Sequence, residues 1–234
     1  MAKKNILTQS KKSKADSLAL ASRLEEALML YASVCKTDPT DVEAWVKLGA
    51  TQRRLGHYAE AEASGRRAVL LAPNQTFAHH TLGVALQCQG KLEDAMSCYR
   101  QAIRLKPDYP DPHYLLGNAL LQSGQLHDAE SSLRQALALR PTQFEALSDL
   151  GALLLTLNRV DEAAHFLQRA LGQQPDSIEV LANLGSLKEK RETWKGLSNA
   201  TGERCHDARI RRTFWPSKAN CWSAWGASMK RKQL

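Results

Sequence analysis

The 234-residue chain holds no apolar run that approaches the roughly 18 residues a membrane-crossing helix needs, which excludes a membrane-built protein. Its lysine-rich start, Met1 to Lys14, lacks the apolar stretch of a secretory signal, so the expected compartment is the cytoplasm. Cysteine is sparse and unpaired in pattern: Cys35, Cys88, Cys98, Cys205 and Cys221 are five in number and show no C-x-x-C spacing. That excludes a disulfide framework and a cysteine-based zinc site. No glycine-rich phosphate loop, serine-centred nucleophile motif or metal-ligand spacing occurs, so no cofactor, no metal and no enzymatic activity are expected. What is present is ordinary: 43% hydrophobic and 24% charged residues, ample for one sizeable folded unit.

The net charge of +8 raises a nucleic-acid partner, but its placement argues against one. Residues 1–14 hold five lysines and no acid, and residues 191–234 hold ten Lys/Arg against three acids. The body, 15–190, holds 17 against 21 and is mildly acidic. Phosphate neutralisation needs a basic stripe on the folded elements themselves. The expectation is a protein or peptide partner, with no nucleic acid and no membrane; the sequence leaves the oligomeric state unknown.

A strict period organises the body. Pro39, Pro73, Pro107, Pro141 and Pro175 stand 34 residues apart, as do Gly49, Gly83, Gly117, Gly151 and Gly185. Ala27, Ala61, Ala95, Ala129 and Ala163 keep the same beat, and so do Ala68, Ala102, Ala136 and Ala170. Within a period the apolar spacing is helical, as in Leu92, Ala95, Met96, Tyr99, Ala102 and Ile103. Gly56, Gly90, Gly124 and Asn158 separate a first helix from a second, because a left-handed residue closes such a turn. The proline then ends the second helix by lacking an amide hydrogen.

This pattern resembles the tetratricopeptide repeat family, whose Trp-x-x-Leu-Gly, Gly-x-Tyr-x-x-Ala, Ala and Pro signature stands here as Trp45, Leu48, Gly49, Gly56, Tyr58, Ala61, Ala68 and Pro73. The resemblance implies an all-α fold, a right-handed superhelical α-solenoid of helix-turn-helix repeats. The expected domains are a basic flexible N-terminus at 1–14 and an array over 15–190. The array is divided into a half-repeat at 15–41, whose second-type helix at 24–39 follows a weaker helix around 14–23, complete repeats at 42–75, 76–109, 110–143 and 144–177, and a partial repeat at 178–190. Residues 191–234 are expected to form an irregular, disordered basic tail. Read one base out of frame, that tail returns to repeat register: the shifted frame forces leucine at the slots of Trp215 and Trp222 and glutamate at the slot of Lys230. The tail is therefore read as frame-slipped.

The resemblance also implies that the first helix of each repeat lines a concave groove that holds a partner segment, making the chain a non-catalytic interaction scaffold. The groove slots that point to binding are Arg53, Arg54, Phe77, His80, Val84, Tyr114, Asn118 and Leu121. The apolar and aromatic members suit an extended or helical segment, Asn118 suits backbone hydrogen bonds, and Arg53 and Arg54 suit an acidic flank. Val46, Ala50 and Thr81 stand where chaperone-tail-binding members carry a Lys/Asn clamp, so that ligand is not expected. His79 and His113 share the slot of Trp45 and are read as packing residues. The alternative is the N-terminal, substrate-recruiting arm of a larger glycosyl-, sulfo- or methyltransferase, since arrays of this kind are joined to such enzymes.

Overall fold

The structure is a computed structural model and describes residues 2–200, with side-chain surroundings for 7–189 and 192. The described residues form eleven helices and no strand: α1 (Ala2–Leu20), α2 (Leu24–Thr37), α3 (Val42–Arg54), α4 (Tyr58–Leu71), α5 (Thr76–Gln87), α6 (Leu92–Leu105), α7 (Pro110–Gln122), α8 (Leu126–Leu139), α9 (Phe144–Thr156), α10 (Val160–Gln173) and α11 (Ile178–Ala200). The chain divides into two compact units, Met1–Asn183 and Leu184–Leu234. The first unit is an all-α solenoid of stacked hairpins: α3 with α4, α5 with α6, α7 with α8, α9 with α10, and α1 with α2.

Each hairpin closes the same way. Gly56, Gly90 and Gly124 adopt φ of +83°, +75° and +78°, and Asn158 follows at +59°. At each, the next residue's amide reaches back to the first helix, as in Lys91 N to Leu86 O at 3.0 Å and Arg159 N to Leu154 O at 2.8 Å. This is the six-to-one bond of a Schellman ending.

Packing follows from the small-residue series. All nine alanines of the two series are fully buried. The glycines of the first helices leave room for a second-helix side chain. A methyl group on Gly83 would lie 2.6 Å from Tyr99 Cε1, one on Gly117 2.8 Å from Leu133 Cγ, and one on Gly151 2.6 Å from Leu167 Cγ. The repeat at 42–75 inverts this arrangement, with Gly65 standing where the later repeats have Tyr99, Leu133 and Leu167. A methyl group on Gly65 would meet the backbone of Leu82 at 2.9 Å.

Two boundaries differ from those expected. The basic N-terminus is a helix, not a flexible arm: the weaker helix expected ahead of α2 begins at Ala2 instead of near Lys14 and completes the hairpin. Ala15 and Leu18 join the cluster of Tyr31, Val34, Ala44 and Leu48. Lys12, whose side chain is 10% exposed, pairs with Asp41 at 2.9 Å and Glu43 at 2.8 Å. Lys11 donates to Ser33 Oγ at 2.9 Å, and Asp16 accepts from Tyr31 Oη at 2.5 Å and Lys47 Nζ at 2.9 Å. Two lysines counted in a solvated basic arm are thus engaged within the fold, Lys12 by two acids and Lys11 by a hydroxyl. The turn between α1 and α2 is closed by Ser22 at φ +59°, and Arg23 N bonds Leu18 O at 2.9 Å. At the other end, α11 runs to Ala200 and not only to Lys190. No proline interrupts 178–200, and Lys188 lies 3.9 Å from Glu192 one turn on. The tail expected to be frame-slipped, 191–234, lies outside the described residues from 201 onward.

Candidate partner-binding face

The first helices touch one another in series, α3 with α5, α5 with α7, and α7 with α9, and present one continuous face. A regular register joins them. Polar side chains pair across neighbouring first helices at a separation of 31 residues: Lys12 with Glu43, Lys47 with Asp16, Gln87 with Asn118, Asn118 with Asp149, and Ser148 with Glu179. That spacing is the repeat length less about one helical turn, which is the offset that brings facing side chains level on successive tilted helices.

The eight expected residues fall into distinct settings. Phe77 is 49% exposed and meets Tyr109 edge-on at 5.5 Å between ring centroids. His80 is half-buried, its ring 5.9 Å from that of Tyr109. Burial holds the His80 imidazolium below its ordinary pKa, while the Asp111 carboxylate pulls it up and Arg53 pushes it down. Val84, Tyr114 and Leu121 are half-buried. Burial, with the Asp149 carboxylate beside it, raises the Tyr114 phenol.

Two of the eight are engaged inside the protein. Arg54 Nη1 donates to Ala19 O at 3.2 Å, so it closes the C-terminal end of α1. Asn118 is not the uncommitted amide the sequence suggests. Its oxygen accepts from Gln87 at 2.9 Å and Gln122 at 2.8 Å, and its nitrogen donates to Asp149 at 3.0 Å. One of its two amide hydrogens is left. Gln87 in turn accepts the Tyr99 hydroxyl at 2.7 Å, which ties this polar row to the core.

Beyond the eight, Gln87 and Asp149 fill expected groove slots without having been singled out for binding, and Tyr109 was not expected on the face. Tyr109 lies in an inter-repeat turn, outside the first-helix slots. Gln87 and Asp149 carry a legible signal, polar residues 31 apart from Asn118 on either side. Asp149 is half-buried, and burial raises its carboxyl above the ordinary value, with Glu179 and Glu145 adding and Asn118 and Tyr114 opposing.

The remaining first-helix histidines have structural roles. Ring nitrogens of His79 and His113 bond the carbonyls of Pro73 at 2.7 Å and Pro107 at 2.9 Å, as Trp45 Nε1 bonds that of Pro39 at 3.0 Å. One slot thus ties α3, α5 and α7 each to the turn before it. Among the described residues no group of three or more His, Cys, Asp or Glu is arranged to hold a metal, and no helix is long and apolar enough to cross a membrane.

Stacked helical hairpins with a continuous, partly apolar face define a protein-interaction repeat array. The chain belongs to the tetratricopeptide repeat family. Models described as tetratricopeptide repeat match residues 30–63 and 114–178, and one described as TPR repeat matches 88–124. The chain is similar to TTC0263, a thermophilic TPR protein of Thermus thermophilus, with 30% identity over 77% of this chain and 98% of that one and a TM-score of 0.64. It is similar to MamA at 25% identity, covering 69% of this chain and 94% of MamA, with a TM-score of 0.61. It shares the fold of YrrB, a TPR protein with an unusual peptide-binding site, at 21% identity over 74% and 89% with a TM-score of 0.58. No curated protein matches the chain.

Proposed function

We propose that the chain is a non-catalytic scaffold that holds a segment of a partner protein against its first-helix face. The observation that carries this is the run of solvent-reachable apolar and aromatic side chains, Phe77, His80, Val84, Tyr114 and Leu121, on consecutive first helices. A buried core has no use for a ring left half open to water, and a partner's apolar side chains would cover it at a gain of about 25 cal/mol per Å². Arg53 and the free amide hydrogens of Gln87, Asn118 and Gln122 supply the polar contacts that fix a segment in register. The array that does this comprises the five hairpins from α1 to α10 and the first turns of α11.

A photo-cross-linking amino acid at Leu121 in the full chain, expressed in the cells that make it, is expected to give a discrete partner adduct. The same group at Arg104, exposed on a second helix, is expected to give none. Adducts from Arg104 and none from Leu121 would place binding on the opposite side and overturn the reading.

A further inference from the structure

The charges on the first-helix face are unevenly compensated. Fourteen ion pairs join the described residues, yet none involves Arg53, Glu145, Asp149 or Glu179. The cation stands on α3; the carboxylates stand on α9 and the first turn of α11. Between them lie Phe77, His80 and Tyr114. The 31-residue register sets Arg53, Val84 and Leu115 in one row and Gln87, Asn118 and Asp149 in the next, so the polarity runs along the face across successive repeats. On the earlier first helices the acids have partners: Lys12 and Lys47 serve Glu43, Lys47 serves Asp16, and Arg140 serves Asp111.

We infer that the face takes an extended segment of about eight residues with a carboxylate at one end, opposite Arg53, and a lysine or arginine at the other, opposite Glu145, Asp149 and Glu179. The inference rests on the reading that this face is the binding face. The length follows from three steps between neighbouring first helices, each about 8–10 Å, spanned at about 3.3 Å per residue. An extended occupant is favoured over a helix because the face offers amide donors from Gln87, Asn118 and Gln122. An extended backbone needs such partners, whereas a helix satisfies its own. The electrostatics agree: burial, and then the Glu179 and Glu145 carboxylates, raise the Asp149 carboxyl, and a cation beside it acts in the opposite sense.

The test uses the full chain and fluorescein-labelled octapeptides: aspartates at one end, lysines at the other and alternating leucine and threonine between, made in both orientations. The comparisons are a scrambled peptide of the same composition and one with serines in place of the four charges. By fluorescence anisotropy at low salt, the polarised peptide in its better orientation is expected to bind about tenfold tighter than the scrambled one. Arg53→Glu removes the contribution of the aspartates, and a peptide with lysines at both ends restores it. The double variant Glu145→Lys and Glu179→Lys, both exposed positions, removes the contribution of the lysines. Polarised, scrambled and serine peptides binding alike, with Arg53→Glu without effect but Leu121→Lys abolishing binding, would overturn the polarity and leave the face intact. Binding by any peptide that ignores Leu121→Lys would overturn the face itself.

Discussion

Tyr99→Ala is expected to destabilise the array by about 3–5 kcal/mol, the range for deleting a large, fully buried aromatic side chain. The ring has no exposed surface, and it fills the space that Gly83 leaves on the facing helix. The loss also reaches the binding face. The Tyr99 hydroxyl donates to Gln87 at 2.7 Å, and Gln87 starts the row that continues through Asn118 to Asp149. Tyr99→Phe separates the two effects, since it keeps the packing and should cost only about 1 kcal/mol while freeing Gln87. Because repeats contact only their neighbours, the Tyr99→Ala loss should be local. Amide exchange measured along the chain should show protection falling in α5 and α6 before α9 and α10. Uniform loss along the array would show that the repeats do not behave as nearest-neighbour units.

Lys12→Met is expected to cost about 1–3 kcal/mol, less than a fully buried pair because one of its two acid partners is half exposed. Removing residues 1–14 altogether should cost at least as much. The pH dependence identifies the cause. Hydrogen bonds from Lys12 and then Lys47 hold the Glu43 carboxyl down to about 2, from an ordinary value of 4.5. A carboxyl depressed in the folded state contributes stability that is complete above its unfolded pKa. That contribution is lost as pH falls from about 4.5 through about 2. Thermal melts over that range should show a steep decline for the native chain and a shallower one for Lys12→Met. Lys36→Met, on the exposed side of α2, should leave the native slope unchanged.

The hairpins were legible because each repeats the same physical solution. A glycine makes room for a side chain, a left-handed residue closes the turn and a proline ends the second helix. The first hairpin was legible only as a half-repeat with a weaker helix ahead of it, because it reaches the same geometry with other residues. Lys14 and Ala15 stand where later repeats have leucine and glycine, and Ser22 adopts the left-handed turn in place of a glycine. Besides its apolar cluster it is held by tertiary ion pairs, which a local pattern does not show. The extension of α11 to Ala200 escaped for the opposite reason: the repeat signature stops near Lys190 while ordinary helix formers continue. On the face, the apolar slots followed from the period, and Phe77, His80 and Tyr114 stand there in reach of solvent. The commitments of Asn118 and Arg54 did not follow, because they depend on residues 31 and 35 positions away. The 31-residue pairs are a rule that can now be read in sequence: polar residues one repeat less three apart belong to a single ladder.

The measurement that bears most directly on the binding face is an amide-resolved NMR titration of the full chain with the leucine- and threonine-centred peptide. Shift changes are expected to cluster on α5, α7 and α9, led by Phe77, His80, Tyr114 and Leu121, with α6 and α8 quiet. Changes confined to α6 and α8, or none at a peptide concentration that saturates the anisotropy signal, would contradict the account.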